Sequence, residues 1–318
     1  MGDAAGIGPE IVLKALAEKD VRTASRCVVI GDMAVLARTS DELGLGIAFK
    51  NLGKSGSGDA IDVVDLANLP KQYDVGIDAA ATGRASAEYI AESVKLWREG
   101  QIDAVCTAPI SKKAIHLGGY DYPGHTEFLA ELTGTERFAM SFFADKLRVV
   151  LLSTHVSLTE AIGLVTKDAL VDRIEFANAT LSKLLARKVS IAVAGLNPHA
   201  SEGGMFGSEE HDIIKPAIDH CRSRLHIDVS GPYAPDTIFL RGYKGDFDAV
   251  IALYHDQATI AVKSLSFGSG VNVTLGLPLV RTSVDHGTAY DIAGKGIADA
   301  SSMAAAIRLA GELASVSR

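Results

Sequence analysis

A short apolar run that ends in a charged pair, FDAVIALYHDQ (residues 247–257), decides the fold. Two further runs have the same form: LRVVLLSTH ends at His155, and VSIAVAGLNPH ends at His199. Short runs of this kind, rich in Val and Ile and bounded by turn residues, are typical of buried strands. Each of the three predicted strands therefore has a histidine at its carboxyl end or just beyond that end. These histidines are His155, His199 and His255.

Helical patterns alternate with these strands along the chain. Capping and amphipathic signals predict helices over residues 9–19, 86–100, 167–187, 208–224 and 300–316, with further strands at 26–32 and 102–109. Ser208 is the expected N-cap of the fourth helix, because acidic residues follow it. The alternation predicts an α/β fold with a largely parallel sheet and flanking helices. We expect two lobes, formed by residues 1–120 with 278–318 and by residues 121–277.

The composition argues against two classes of protein, nucleic-acid-binding proteins and membrane proteins. The chain has 318 residues, of which 22% are charged, and a formal net charge of −8. An acidic balance argues against a nucleic-acid-binding protein, and no apolar run reaches the ~18 residues of a membrane span. The three cysteines, Cys27, Cys106 and Cys221, form no C-x-x-C pair, which fits a reducing compartment. We therefore expect a cytoplasmic protein that binds neither nucleic acid nor membrane.

The three strand-end histidines predict a metal site. Ligands of parallel sheets bind at the carboxyl ends of the strands, where His155, His199 and His255 are expected. Three neutral imidazoles with a fourth position open suit zinc or a similar divalent ion. Asp256 is a candidate partner of the His255 ring or a further ligand. The alternative, that each histidine is only a polar strand terminus, stays open because spacing along the chain does not establish convergence.

Several polar residues are candidates for binding an anion. His125 and Thr126, in YPGHTEF (122–128), stand at a predicted helix start, where free backbone N–H groups favour phosphate. Lys263, Asn272 and Arg281 interrupt an apolar, glycine-rich run, and an arginine can bind a carboxylate or phosphate with two hydrogen bonds. A simple helix cap and ordinary surface charge are the alternatives.

The segment HGTAYDIAGKGIAD (286–299) resembles the adenine-binding loop of the isocitrate and isopropylmalate dehydrogenase superfamily. In that superfamily the loop binds NAD(P) without a G-x-G-x-x-G motif. The resemblance makes candidates of His286, Gly287, Asp291, Ala293 and Gly294. The N-terminal GDAAGIG (2–8) lacks the preceding strand and the later acidic residue of a dinucleotide fingerprint, so we expect it to be a packing or site-lining turn.

Taken together, the motifs identify a family. The chain resembles the 4-hydroxythreonine-4-phosphate dehydrogenase family over nearly its whole length, on the motifs GDAAGIGPEI, TAPISKKAIH, YPGHTEFLAELTG, STHVSL, GLNPHASEGG, YHDQ, GVNVTLGLP and RTSVDHGTAYDIAGKG. The resemblance implies an isopropylmalate dehydrogenase-like fold with the active site in the cleft between the lobes. It also implies a homodimer with the site at the subunit interface, and a divalent cation held by His155, His199 and His255. The substrate contacts it implies are His125, Thr126, Lys263, Asn272 and Arg281.

The implied reaction is a metal-dependent oxidation with NAD or NADP. The C3 hydroxyl of 4-phosphohydroxy-L-threonine is oxidised and the product decarboxylates to 3-amino-2-oxopropyl phosphate, a step of pyridoxal phosphate biosynthesis. The alternative is a paralogue that acts on D-threonate or D-erythronate 4-phosphate. Zinc is the expected metal, with magnesium and cobalt as alternatives. Asp256 and Asp236 are candidate proton acceptors, and Lys263 is a candidate for the catalytic set.

Two other classes of function compete with a dehydrogenase. A metal-dependent hydrolase or lyase would use the same histidines but has no need of the loop at 286–299. A sugar-phosphate binding protein would use the anion-binding residues but has little need of three histidines at strand ends.

Overall fold

The structure is a computed structural model that describes residues 1–55, 58–266 and 268–316. The chain divides into two compact units. Unit 1 comprises Met1–Arg137 and Leu277–Ala314, and unit 2 comprises Phe138–Gly276 with residues 315 and 316. The structure thus places residues 121–137 and Leu277 in unit 1, whereas we expected them in the second lobe, and it places residues 315 and 316 in unit 2, whereas we expected them in the first lobe. The part of the predicted first lobe at residues 317 and 318 lies outside the described residues.

The helices and strands alternate as the sequence predicts. The helices are α1 (Gly8–Ala17), α2 (Lys19–Ala24), α3 (Met33–Glu42), α4 (Ala80–Arg98), α5 (Lys112–Leu117), α6 (His125–Thr133), α7 (Leu158–Gly163), α8 (Lys167–Leu184), α9 (Lys215–Arg224), α10 (Pro235–Lys244), α11 (His255–Ser266) and α12 (Ser301–Val316). The strands are β1 (Val28–Gly31), β2 (Phe49–Asn51), β3 (Ile61–Asp65), β4 (Ala104–Thr107), β5 (Ala139–Ala144), β6 (Leu147–Leu151), β7 (Ile191–Ala194), β8 (Val229–Tyr233), β9 (Ala249–Ala252), β10 (Val271–Leu275) and β11 (Val280–Ser283). Among the described residues, no helix is both long and apolar enough to cross a membrane.

Unit 1 is built on parallel strands. Strands β1, β3 and β2 form one parallel sheet in that order, and β4 pairs in parallel with β11, so that Val105 lies opposite Arg281. The apolar side of α1, represented by Ile11, Leu13 and Leu16, is fully or almost fully buried in a cluster with strand residues of the three-stranded sheet. The glycine-rich turn before α1, residues 2–7, is buried as well.

Unit 2 contains a mixed sheet with the order β10-β5-β6-β9-β7-β8. The pairs β10–β5 and β5–β6 are antiparallel, and the pairs from β6 to β8 are parallel. Every residue of β7 and of β9 is buried, which is expected for parallel strands covered on both faces. The α/β prediction with a largely parallel sheet is therefore confirmed. The parallel arrangement brings the carboxyl ends of β6, β7 and β9 to one edge, from which the three predicted metal ligands follow.

The predicted helix at 208–224 differs from the structure at its start. The helical segment begins directly after Ser208, and Asp212 N–H donates to Ser208 O at 2.8 Å, but its first turn is π-helical (Glu210–Ile214) and leads into α9. Pro216 lies in the first turn of α9 and has no N–H, so it cannot donate the regular i→i−4 hydrogen bond to Asp212. The wider turn accommodates this missing donor.

Candidate active site

Two of the three predicted metal ligands lie side by side in unit 2. His155 follows the end of β6 by four residues, and His255 is the first residue of α11, just after β9. Their ring centres are 5.6 Å apart, with an interplanar angle of 44°. His155 is exposed and the His255 side chain is 37% exposed, so both rings are accessible to an ion from solvent.

The spacing of these rings fits a shared divalent ion. With metal–nitrogen distances of about 2.1 Å and a tetrahedral angle, the ring centres of two ligating histidines lie about 5 Å apart. The Nδ1 atom of His255 is 2.8 Å from Asp256 Oδ1, which orients the ring and leaves Nε2 for an ion. Asp256 is thus the hydrogen-bond partner of the His255 ring, one of the three roles expected for it.

His199 is not brought to this pair within one chain. Among the residues that the structure describes, no group of three His, Cys, Asp or Glu side chains could hold a metal ion. The exposed His199 lies in a turn after β7, with its ring centre 6.4 Å from that of Phe206. Convergence of all three histidines therefore stays a prediction.

The other candidates of unit 2 have distinct environments. Lys263 is exposed on α11, and the rise of about 1.5 Å per residue places it about 12 Å along the helix from His255. Asn272 lies on β10 opposite Phe142, and its buried Oδ1 has no hydrogen-bond partner among the described residues. A buried oxygen without a hydrogen-bond partner is a candidate to accept a hydrogen bond from a bound ligand. Asp236 is exposed in the first turn of α10, a position where the helix dipole alone favours a carboxylate.

The predicted anion-binding residues of unit 1 surround the start of α6. His125 and Thr126 are its first two residues, and Tyr122 stacks on the buried Phe128 with ring centres 4.1 Å apart, which anchors the preceding turn. The helix start therefore presents free backbone N–H groups beside two side chains that can donate hydrogen bonds.

A buried arginine gives this site its charge. Arg281, on β11, is 3% exposed, and its guanidinium donates a hydrogen bond to Thr107 Oγ1 at 2.8 Å. Burial lowers the pKa of Arg281 to about 10, which still leaves it cationic at neutral pH. Burial, followed by the charge of Arg281, lowers the pKa of His125 well below 6.5. The site thus combines one buried cation with a neutral imidazole, an arrangement suited to a carboxylate or phosphate.

Thr107 was missed by the sequence analysis. It is buried at the carboxyl end of β4, inside the quoted motif TAPISKKAIH, and it fixes one nitrogen of Arg281. A polar residue that ends a buried strand is the same signal that identified the histidines, and it would have found this residue too.

The predicted cofactor loop connects β11 to α12. Gly287, Asp291 and Gly294 are exposed, whereas His286 and Ala293 are half-buried. The N-terminal turn packs against this loop, as expected: Ile7 N–H donates to Thr288 O at 3.0 Å and Tyr290 Oη donates to the buried Asp3 at 2.6 Å.

Gly6 and α1 complete the support of this loop. A Cβ on Gly6 would lie 2.9 Å from Thr288, so the close approach requires glycine. Glu10, buried on α1, accepts a hydrogen bond from Ala298 N–H at 2.8 Å, and Lys14 Nζ donates to Gly296 O and Ala298 O. The loop is therefore held at both ends by side chains that lie nearly 300 residues away in sequence.

Comparisons with known proteins agree with the motifs. The D-threonate 4-phosphate dehydrogenase of Cupriavidus necator is 45% identical to this chain, over 99% of this chain and 96% of its own. The 4-hydroxythreonine-4-phosphate dehydrogenase of Geobacter metallireducens is also 45% identical, over 99% of this chain and 94% of its own. A crystal structure of 4-hydroxythreonine-4-phosphate dehydrogenase from Klebsiella pneumoniae matches with a TM-score of 0.88 and 40% identity, covering 99% and 98% of the two chains. The family described as "Pyridoxal phosphate biosynthetic protein PdxA" matches residues 23–310, and the chain belongs to this family.

Proposed function

We propose that this chain is a metal-dependent NAD(P) dehydrogenase that oxidises the C3 hydroxyl of a 4-phosphorylated hydroxy acid. The chain is a dehydrogenase by its family and by its relatives. The observation that carries the metal-dependent part is the pair of accessible imidazoles, His155 and His255, 5.6 Å apart at the carboxyl ends of neighbouring parallel strands. The buried cation of Arg281 beside His125 supports an anionic substrate.

The first candidate substrate is 4-phosphohydroxy-L-threonine. The second candidates are D-threonate 4-phosphate and D-erythronate 4-phosphate. They are considered because the D-threonate 4-phosphate dehydrogenase and the 4-hydroxythreonine-4-phosphate dehydrogenase compared above are equally similar to this chain. These acids share the phosphate, the carboxylate and the C3 hydroxyl. The amino acid carries an amino group at C2 where the two sugar acids carry a hydroxyl, and the two sugar acids differ from each other in configuration at C2.

The proposed reaction balances in two steps. The C3 hydrogen leaves as hydride to NAD(P)⁺, and the hydroxyl proton leaves to a base. The 3-keto acid then loses its carboxylate as carbon dioxide, and C2 takes up a proton, which gives 3-amino-2-oxopropyl phosphate from the amino acid substrate. The same balance gives dihydroxyacetone phosphate from a threonate or erythronate substrate.

The histidines and their neighbours serve the first step. His155, His199 and His255 hold a divalent cation, for which zinc fits the imidazole donors best and cobalt and magnesium are alternatives. A divalent ion lowers the pKa of a hydroxyl that it contacts and so favours loss of the proton. Asp256 keeps the His255 ring in one tautomer through Nδ1. Asp256 and Asp236 are the candidate proton acceptors, of which Asp256 is in contact with a proposed ligand.

The remaining candidates bind substrate and cofactor. Arg281, with His125 and Thr126, takes one anionic group of the substrate, and Lys263 takes the other. Asn272 accepts a hydrogen bond from the substrate, which satisfies its buried Oδ1. NAD or NADP occupies the loop after β11, at His286, Gly287, Asp291, Ala293 and Gly294.

A homodimer completes the metal site in this proposal. Exposed apolar side chains follow two of the histidines: Val156, Leu158, Ile162 and Leu164 follow His155, and Met205 and Phe206 follow His199. Apolar side chains gathered in this way are typical of a surface that another chain covers. A second copy that covers these segments can bring the third imidazole to the pair.

Mixed dimers test whether one site draws ligands from two chains. His155→Ala and His199→Ala each remove one ligand. If the two histidines of a site come from different chains, a mixed dimer keeps one intact site and recovers up to about half of the wild-type turnover. If both come from the same chain, or if the protein is a monomer, mixing restores nothing.

Steady-state kinetics test the proposed reaction. NAD(P)H formation is measured with each of the three phosphorylated acids, with NAD⁺ and NADP⁺, on enzyme loaded with zinc, cobalt or magnesium. We expect the amino acid and the two sugar acids to differ in kcat/KM by at least about tenfold, since the site must distinguish a C2 amine from a hydroxyl. Failure of all three acids with every metal and cofactor would refute the proposal. Phosphate release or substrate cleavage without NAD(P)H would instead favour a hydrolase or lyase, and binding without turnover a binding protein.

A further inference from the structure

The turn that carries His199 has an unusual backbone. His199, Ala200, Ser201 and Glu202 have φ values of 53°, 53°, 66° and 43°, and Gly203 continues at 67°. A residue with a Cβ is disfavoured in this left-handed region, and four in succession are rarely tolerated. Such strain persists only where surrounding contacts hold the backbone in place, and it concentrates at functional sites. The residues that hold this turn in place therefore determine where His199 lies.

Glu210 fixes the entry to the turn from one side. It is 3% exposed, and its Oε1 accepts hydrogen bonds from the backbone N–H groups of Leu196 at 2.8 Å and Asn197 at 2.7 Å. Its Oε2 accepts a third bond from Asn197 Nδ2 at 2.9 Å. The π-helical turn Glu210–Ile214 begins at this residue, so its carboxylate reaches back to the end of β7 from a rigid element.

Gln257 fixes the same entry from the other side. Its buried amide donates from Nε2 to Gly195 O at 2.8 Å and accepts at Oε1 from Leu253 N–H at 2.7 Å. Gly195 follows β7 and Leu253 follows β9, so one side chain ties the two strand ends together. The segment to His199 starts at one of these ends, and His255 stands two residues beyond the other.

We propose that Glu210 and Gln257 are positioning residues for the metal site: together they hold the strained turn of His199 in place at the carboxyl ends of β7 and β9. This inference rests on the proposed function, because it assumes that His199 binds the ion. Neither side chain is among the proposed metal ligands or substrate contacts. They act by fixing the backbone on which His199 stands.

Cobalt binding measures the inference without turnover. Gln257→Met keeps the length of the side chain and removes both hydrogen bonds, and Glu210→Met removes both acceptor oxygens and the three hydrogen bonds they accept. Loss of such supporting partners typically weakens metal affinity by about 10- to 100-fold. We expect a loss of at least about tenfold in Co²⁺ affinity and a changed visible spectrum of bound Co²⁺, which reports ligand geometry. The conservative variants Gln257→Glu and Glu210→Gln keep part of each set of bonds and should retain intermediate affinity.

Ser141→Ala is the matched control. It removes a buried hydrogen bond of the same unit, from Ser141 Oγ to Val273 O at 2.7 Å, between strands β5 and β10, which do not carry the histidines. It should lower the melting temperature without a change in Co²⁺ affinity or spectrum. If a methionine variant does not fold, the conservative variant is measured instead.

The outcomes separate the two proposals. Wild-type Co²⁺ affinity and spectrum in all folded variants of Glu210 and Gln257 would overturn the positioning role and leave the metal site intact. A wild-type protein that binds no Co²⁺ would overturn the metal site, and the positioning role with it.

Discussion

Replacing Arg281 by methionine should change stability and substrate binding in opposite directions. Burial lowers the pKa of Arg281 from 12.5 to about 10, and one pKa unit corresponds to about 1.4 kcal/mol, so the folded protein bears a cost of about 3 kcal/mol for this charge. Methionine removes this cost, and it also removes the hydrogen bond to Thr107, which is worth about 1 kcal/mol. The free energy of unfolding without substrate should therefore rise, by no more than about 2 kcal/mol.

Binding should move the other way. An arginine that pairs with a carboxylate or phosphate contributes two charge-assisted hydrogen bonds of about 1.5 kcal/mol or more each. Loss of about 3 kcal/mol raises the dissociation constant of the substrate by at least about 100-fold. The variant should thus be more stable than the wild type alone, yet gain almost no further stability when substrate is added.

Denaturant unfolding with and without substrate, together with kcat/KM, measures both effects. Arg148→Met is the control, because Arg148 is a half-buried arginine of unit 2 whose pKa is also lowered by burial and which no proposed contact involves. Its substrate affinity should equal that of the wild type. An Arg281→Met protein that is less stable than the wild type, or that binds substrate normally, would show that Arg281 is a structural cation rather than the anion-binding group.

Three further predictions concern other parts of the chain. The pKa of His125 is held low in the folded state, so the unfolded chain takes up a proton at a higher pH than the folded chain does. The free energy of unfolding should therefore fall as the pH drops below about 6.5. His125→Asn should flatten this part of the pH profile measured by urea unfolding. Glu202→Gly should raise the free energy of unfolding by about 1 kcal/mol and Glu202→Val should lower it, because glycine tolerates a φ of 43° and a β-branched residue does not; equal stabilities would argue against a left-handed turn. Lys14→Met should weaken NAD(P)⁺ binding, measured by calorimetry, by about tenfold, because Lys14 holds two carbonyls of the cofactor loop. The control Lys95→Met breaks an exposed ion pair with Glu92 and should leave this binding unchanged.

The sequence identified the strands that matter because burial on both faces leaves a strong local pattern. Runs such as AVIA in β9 are apolar at every position, and this pattern extends up to the polar residue that follows. The α/β class and the family are confirmed on this basis. The antiparallel pairing of β5 with β6 and β10 was not foreseen, because strand direction depends on distant partners and leaves no local signal.

The support of the candidate site could not be predicted in the same way. Neither Glu210 nor Gln257, although the latter ends the motif YHDQ, shows a supporting role in the sequence, because that role exists only where the strand ends they hold lie side by side. The contacts of Glu10 and Lys14 with Ala298 join positions nearly 300 residues apart. The left-handed turn at His199 was equally hidden, since three of its four non-glycine members are not residue types that favour positive φ.

Metal analysis of the purified protein tests the central claim most directly. The claim is that His155, His199 and His255 together hold one divalent ion on which oxidation of the substrate depends. Wild-type protein should carry one ion per chain and lose NAD(P)H formation on chelation, and zinc or cobalt should restore it. His199→Ala should carry no ion and lose turnover by orders of magnitude while it keeps the wild-type melting temperature in the metal-free state. A folded His199→Ala protein with a full complement of metal and near-wild-type turnover would contradict the claim.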